Sequence, residues 1–337
     1  MFQFQDWMPF IMKYFLLVLL VIFTLTLNST SSTASTLLCP ANMVLIPGGT
    51  FEMGSDRSGL IEEKKIAGVK VNSFCIDIYE VTNADFANFV QETGYITIAE
   101  RPLSQKEFPH LSLEARKPGS LVFQSVREGL KPVAYMSWWH WIQGANWRHP
   151  YGPESDILER KKYPVVHIAY PDALAYAQWV GKELPTEAQW EYAARGGLKS
   201  AYYSWGNLYS PSKANTWQGS FPVLNTQIDG YLETSPVGAF PPNGYGLYDM
   251  IGNVWEWTHD FYQVERDPLA YQNNPQGPNF GYDPKKRLSI ASHVIKGGSH
   301  LCAPNYCSRY RPAARESQSP DTGTTHIGFR LVKNIEM

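Results

Sequence analysis

The chain has 337 residues, with 29 Lys and Arg against 31 Asp and Glu and a formal net charge of -2, so no strong field marks it for nucleic acid or an anionic surface. Its 44% hydrophobic and 14% aromatic content is enough for the core of one large or two ordinary domains. With 26 glycines, 24 prolines and no long helical periodicity, an all-α bundle is excluded; short strands, irregular backbone and a few helices are expected.

Residues 1–38 differ from all that follows. "YFLLVLLVIFTLTL" (14–27) is interrupted only by threonines, Lys13 precedes it, and small residues suited to cleavage near Ala34 follow, which is the layout of an export signal. Extended back through "WMPFIM", the apolar stretch reaches the roughly 20 residues of a bilayer span, so an uncleaved membrane anchor is the other reading. Leu38 stands where a lipoprotein signal wants a small residue before its cysteine, which argues against lipidation. The expected organisation is an export signal or anchor with a Ser/Thr-rich spacer over 1–38, then one domain over 39–337. Cys39 and Cys75 flank the first strand-like segment, and a disulfide between them is the simplest reading in an exported chain.

"MVLIPGGTFEMGS" (43–55) alternates apolar residues around a Pro-Gly-Gly turn and predicts a hairpin. "VNSFCIDIYEVTNADFANFV" continues as a strand to Val81, after which Thr82 or Asn83 caps a helix with Phe86 and Phe89 on one face. Residues 100–160, rich in Trp, His and Pro without a period, read as long ordered loop. In 163–197, "PVVHIAY" reads as a short strand, and Pro171 and Asp172 open a helix that closes near Gly181. Thr186 and Gln189 form a capping box for a second helix, ended by Gly196 and Gly197. Two helices packed on a mixed, mostly antiparallel sheet result. From 205 onward Gly and Asn punctuate aromatics, the pattern of short strands between sharp turns. The eight histidines show no metal-ligand spacing, and His167 reads as a satisfied core residue.

"KGGSHLCAPNYCSRYRPAAR" (296–315) carries two cysteines close together. A strand would turn Cys302 and Cys307 to opposite faces and a helix would set them roughly 140° apart, so a turn is required. Pro304 suits the second position of a β-turn and Asn305 the third, which brings the two Cα atoms to about 5 Å. At that spacing both a disulfide and a metal clip with bonds near the roughly 2.3 Å of Zn–S are feasible, and spacing alone leaves the choice open. Two soft thiolates without His or carboxylate favour copper(I) over harder metals and leave room for a third sulfur. Arg309, Arg311 and His300, near in sequence, are placed to lower the thiol pKa.

These stretches, with "YEVTNADF", "GANWRHPYGP", "ANTWQGSFP", "FPPNGYGLYDMIGNVWEW" and "DTGTTHIGFR", resemble the formylglycine-generating enzyme family, also called sulfatase-modifying factors, from about Met43 to Val332. Several of these motifs extend across a broader superfamily; "GGS" followed by the cysteines and "RYR" marks the members that make formylglycine. The resemblance implies an α+β fold: a single compact, loop-rich domain related to the C-type lectin fold, with mostly antiparallel short strands and a few helices. It implies an oxidoreductase that converts a cysteine in a Cys-x-Pro-x-Arg-type motif of an unfolded sulfatase to Cα-formylglycine with O2 and a thiol reductant. Copper(I) would lie between Cys302 and Cys307. Ser299 matches an active-site serine and Trp255 a tryptophan of that pocket, while Tyr306 and Arg311 are carried over as substrate contacts, a structural ion pair being the other reading for Arg311.

Two calcium sites are also implied. One uses Asn215 and Asp229 with the carbonyls of Thr216 and Tyr231, the other Asp249 and Glu256 with the carbonyls of Gly252 and Val254; hard oxygens in irregular loops suit Ca²⁺. Ala177, Ala194, Pro312 and Leu331 stand where vertebrate members have cysteines, so those disulfides are not expected. The resemblance further implies a monomer working on exported sulfatases, with no nucleic-acid partner. A non-catalytic lectin-like binding or envelope-assembly protein is the alternative, which the intact cysteine pair opposes. An iron-dependent sulfur-transfer enzyme would need a His-rich domain that the sequence lacks.

Overall fold

In a computed structural model the described residues are 39–106, 108–126, 137–284 and 291–335. The chain divides into Met1–Pro40 and Ala41–Met337, and every described helix and strand falls in the second unit. The expected export segment, 1–38, lies outside the described residues, among which no helix is long and apolar enough to cross a membrane.

Among the described residues four small sheets carry the fold. β1 (Met43–Ile46) pairs antiparallel with β4 (Phe74–Asp77), which pairs with β11 (Val332–Asn334) on its other side. β2 (Gly49–Met53) pairs with β3 (Ile66–Val71), and β5 (Gly119–Phe123) with β6 (Trp139–Gln143). The fourth sheet runs β10 (Ile327–Gly328), β7 (Trp255–Phe261), β8 (His293–Lys296), β9 (Arg315–Gln318), antiparallel except between β10 and β7. The α+β, loop-rich, mainly antiparallel architecture is the expected one.

The helices follow their local signals. Thr82 caps α1 (Asn83–Thr93) through a capping box with Asp85, and Gly94 ends it at φ 67°. Phe86 and Phe89 pack on Tyr176 of α2 (Tyr170–Trp179), with ring centroids 5.8 and 5.5 Å away. Buried Asp172 caps α2 by accepting the Ala169 and Ile98 N–H groups at 3.0 Å. Thr186 and Gln189 box the start of α3 (Glu187–Ala194), which turns Glu187 and Glu191 into the interior.

Four sequence expectations are corrected. The Pro47-Gly48 turn does not close a hairpin, because β1 and β2 pair in different sheets. A Cβ on Gly48 would lie 2.9 Å from the Ser73 nitrogen, so the turn passes the chain between them. Residues 100–160 hold the β5–β6 pair rather than loop alone. "PVVHIAY" is not a strand: His167 sits at φ 60°, its ring meeting Ser120 Oγ and the Pro150 carbonyl at 2.8 Å. Its backbone meets Val81 and Thr324 in turn rather than one partner strand. Between 198 and 254 no strand forms; side chains close the turns, as Asn243 does for Tyr245 and Leu247.

Burial alters the chemistry of this interior. It pushes the His167 and His293 imidazoles down to about 4, and both stay neutral in the folded state at neutral pH. Their unfolded pKa is about 6.5, so the unfolded chain binds the extra protons as pH falls below that value, and stability is lost toward pH 4. We therefore expect the thermal midpoint to fall between pH 7 and pH 5, with each such histidine contributing on the order of 1–2 kcal/mol. The slope of midpoint against pH, measured by circular dichroism, should be shallower in His167→Gln; an unchanged slope would contradict the assignment.

Candidate functional site

β8 runs directly into the cysteine segment. Gly297 and Gly298 follow it at φ 93° and 73°, where a side chain is strained. A Cβ on Gly298 would also lie 2.9 Å from the Tyr310 backbone. The glycines bring the chain back on itself and bury Ser299, whose carbonyl accepts the Cys302 N–H at 2.9 Å and whose hydroxyl accepts the Leu301 N–H at 3.2 Å. The Ala303 carbonyl then accepts the N–H groups of Tyr306 and Cys307 at 3.1 and 3.0 Å, placing Pro304 and Asn305 at the two central turn positions. Cys302 and Cys307 are thereby 4.6 Å apart at Cα and are joined as a disulfide. Opened by a reductant, the same backbone presents two adjacent thiols, Cys302 buried and Cys307 partly exposed.

Ser299 and Trp255 are both buried, and Trp255 shares a core cluster with Cys302. Tyr306 is 38% exposed and stacks on Phe221 with ring centroids 4.2 Å apart. Arg311 takes the ion-pair reading. Its guanidinium is 2% exposed, donates twice to Glu63 at 2.6 and 2.8 Å and once to the Ser308 carbonyl, and lies over the Tyr202 ring. Arg309 is likewise paired, with Glu62 and Glu316. Burial lowers His300 to about 4, so at neutral pH it supplies no positive charge to the thiols.

The expected calcium residues fall into two loop clusters. In the first, Asp229 draws its loop together by accepting the N–H groups of Thr216 and Tyr231 at 3.0 Å and the Gln218 amide at 2.8 Å, beside buried Asn215. In the second, Asp249 and Glu256 are joined by Glu80, a residue that sequence reasoning missed. Burial and the Asp249 charge push Glu80 well up, and burial raises Asp249 to about 6. Glu80 Oε2 is buried without a hydrogen-bond partner. Arg330 is the single cation among them, bidentate to Glu256 at 2.7 and 2.8 Å and 3.9 Å from Glu80 Oε2. Three buried carboxylates against one guanidinium leave an excess of negative charge that a divalent cation would neutralise. Among the described residues no three His, Cys, Asp or Glu side chains converge on one point, so main-chain carbonyls must complete either site.

Residues 29–335 match the model of the sulfatase-modifying factor enzyme 1-like domain. A formylglycine-generating enzyme of Mycobacterium tuberculosis is 50% identical over 86% of this chain and 97% of its own. The chain belongs to this family. A bovine family member named as an inactive Cα-formylglycine-generating enzyme 2 is 40% identical over 86% of this chain and 87% of its own. PvdO from Pseudomonas aeruginosa, at 24% identity, superposes with a TM-score of 0.55 over 87% of this chain and 94% of that one, which shows a shared fold. Activity in the sulfatase-modifying family must therefore be argued from the site.

Asn253 is a second residue that sequence reading passed over. It is fully buried at φ 53°, donates to Glu80 at 3.1 Å, bonds the Asn215 carbonyl through its N–H, and accepts the His300 N–H on its own carbonyl. One asparagine thus ties both acidic loops to the cysteine turn; its only sequence signal was the "GN" turn dipeptide. For Arg311, removal leaves the buried Glu63 carboxylate uncompensated, so Arg311→Ala should destabilise the fold by about 3–5 kcal/mol. A denaturant midpoint equal to wild type would overturn the structural assignment.

Proposed function

We propose that the protein is an exported formylglycine-generating oxidoreductase, acting on a cysteine in a Cys-x-Pro-x-Arg-type motif of unfolded sulfatase chains. The observation that carries this reading is the turn that sets Cys302 and Cys307 4.6 Å apart at Cα beside buried Ser299. In the balanced reaction, the cysteine thiol, O2 and two reductant thiols give the aldehyde, hydrogen sulfide, water and a disulfide. The substrate carbon is oxidised and O2 is reduced to the oxidation level of water, the added thiols supplying the remaining two electrons.

The donor set suits a soft monovalent cation, since the two cysteines are the only ligating side chains of the turn. Copper(I) held there by Cys302 and Cys307 would supply the one-electron chemistry with O2 that thiols alone lack. The chain's own groups supply the rest. Cys307, partly exposed next to Tyr306, is the side that an extended polypeptide reaches. Buried Trp255 and Cys302 exclude water from the inner side. Ser299, its oxygen already accepting the Leu301 N–H, keeps its O–H proton as a donor beside Cys302.

Calcium fastens the loops in this reading. Asn215 and Asp229 with the Thr216 and Tyr231 carbonyls would hold one ion; Asp249 and Glu256 with the Gly252 and Val254 carbonyls would hold the other, with Glu80 adding negative charge nearby. The Glu80 oxygen without a hydrogen bond, and three acids facing one guanidinium, support the second. The protein acts as a monomer, with export carried by residues 1–38.

Mass spectrometry of a Leu-Cys-Thr-Pro-Ser-Arg peptide, after incubation with protein, copper(I), thiol reductant and air, tests the activity. Conversion of the thiol to the aldehyde is expected, and its loss in both Cys302→Ser and Cys307→Ser. An unchanged peptide and no copper binding by the reduced protein would move the assignment to the lectin-like binding protein. Calcium is tested separately by thermal melts: saturating Ca²⁺ at about 100 times its Kd should add about 2.7 kcal/mol per site over EGTA. Asp249→Ala should remove one site's share; identical melts with and without Ca²⁺ would exclude both sites.

A further inference from the structure

We propose that the cleft between the β2–β3 sheet and the C-terminal end of α3 binds a small organic acid, built as a flat ring bearing one carboxylate. The ring lies on Tyr192 and Tyr245, and the carboxylate meets Arg195 and Lys199. None of the lining residues belongs to the cysteine turn or to the acidic loops, so the inference stands apart from the reaction proposed above.

The local chain builds the cleft. Tyr192 and Arg195 lie three residues apart at the end of α3, a spacing that sets both on one side of the helix. Gly196 and Gly197 then take φ 57° and 80°, which ends the helix and turns Lys199 into the same wall. Phe51 of β2 packs on the Tyr192 ring with centroids 5.1 Å apart, and Tyr192 stands 6.1 Å from Tyr245, the planes tilted by 53° and 51°. All three rings are partly exposed, so they present a continuous apolar wall that another ring can meet flat or edge-on. The volume enclosed is about 590 Å³, room for a two-ring acid.

Arg195 gives the cleft its charge. It is 5% exposed, and three of its five N–H groups are taken by the protein: Nε and Nη2 meet Glu191 at 3.2 and 2.6 Å, and Nη2 also meets the Gly54 carbonyl at 2.9 Å. Among the described residues no acceptor meets Nη1, so a buried guanidinium keeps two donors for whatever fills the cleft. Lys199 is exposed and has no acidic partner among the described residues, while Glu52 at the rim is held by Ser200 at 2.7 Å and Lys65 at 3.4 Å. Behind Arg195, four cations, Arg195, Arg266, Lys296 and Arg315, face Glu187, Glu191 and Asp260. Burial and the Glu187 charge push Asp260 up to about 7, so the interior carries surplus positive charge, the opposite of the Glu80 loops. A carboxylate on Nη1 neutralises it through charge-assisted bonds. A single charge fits, because Glu52 repels a second.

The test is isothermal titration calorimetry of the full chain with three probes: 2-naphthoate, its neutral amide 2-naphthamide, and acetate, which keeps the charge and lacks the ring. 2-Naphthoate should bind one-to-one with a Kd below about 1 mM, and the other two at least about tenfold more weakly. Arg195 stays in place, because its loss would strip Glu191 of a partner. Lys199→Gln, on the surface, should keep the wild-type thermal midpoint and weaken 2-naphthoate about fivefold; Tyr245→Leu should weaken it by about the same factor. At about 100 times its Kd, 2-naphthoate should favour the folded state about a hundredfold, read as a raised thermal midpoint. No binding of 2-naphthoate, equal affinity for either of the other probes, or wild-type affinity in both variants would overturn the assignment.

Discussion

Lys296 and Arg315 face each other on β8 and β9 with no solvent exposure, and the carboxylates of α3 neutralise them. Lys296 reaches Glu191 at 3.1 Å, Arg315 reaches Glu187 at 2.9 Å, and Arg195 closes on Glu191 at 2.6 Å. Burial alone would raise both carboxyl groups, yet the surrounding cations hold Glu191 at about 2 and keep Glu187 below its ordinary range. Removing one member of such a network costs about 3–5 kcal/mol because the others remain charged in a dry interior. α3 is thereby pinned to the sheet in one register.

The site depends on that register. Lys296 is the last residue of β8, and Gly297, Gly298 and Ser299 leave from it toward the cysteines. Trp190 of the same helix packs within 3.2 Å of the space a Cβ on Gly297 would occupy, and its indole N–H donates to Glu256 at 2.8 Å. Glu256 in turn anchors Arg330, whose remaining donors satisfy the carbonyls of Asp77, Ile78 and Tyr248. The ion network, the acidic loops and the cysteine turn are therefore successive links of one hydrogen-bonded chain, and a reactive turn in irregular backbone inherits the rigidity of a sheet.

What was legible in the sequence is what local chemistry decides. Thr82 with Asp85, and Thr186 with Gln189, announce their helices because a cap is satisfied within three residues. The cysteine turn is equally local, with Pro304 and Asn305 taking the positions their backbone preferences predict. Pairing between distant segments was not legible. The Pro-Gly-Gly stretch looks like a hairpin whether its flanking strands meet each other or, as here, β4 and β3. For Arg311 the sequence left substrate contact and ion pair both open because its partner, Glu63, lies 248 residues away. Glu80 was hidden for the same reason: its closeness to Asp249 exists only once β4, β7 and the 249 loop are assembled.

The turn does not depend on its sulfurs for its shape. Its shape is held by groups other than sulfur: the Ala303 carbonyl, the Ser299 carbonyl, Asn253 on His300 and Asn305 on Phe221. By chain entropy, a disulfide closing so short a loop stabilises by about 2 kcal/mol, less than half of what closing a 100-residue loop would give. The fold therefore gains little from Cys302 and Cys307 that its hydrogen bonds do not already provide, and a lineage could lose the sulfurs and keep the domain. In this chain the turn therefore holds one cysteine buried and the other at the rim on a backbone that needs neither for its shape.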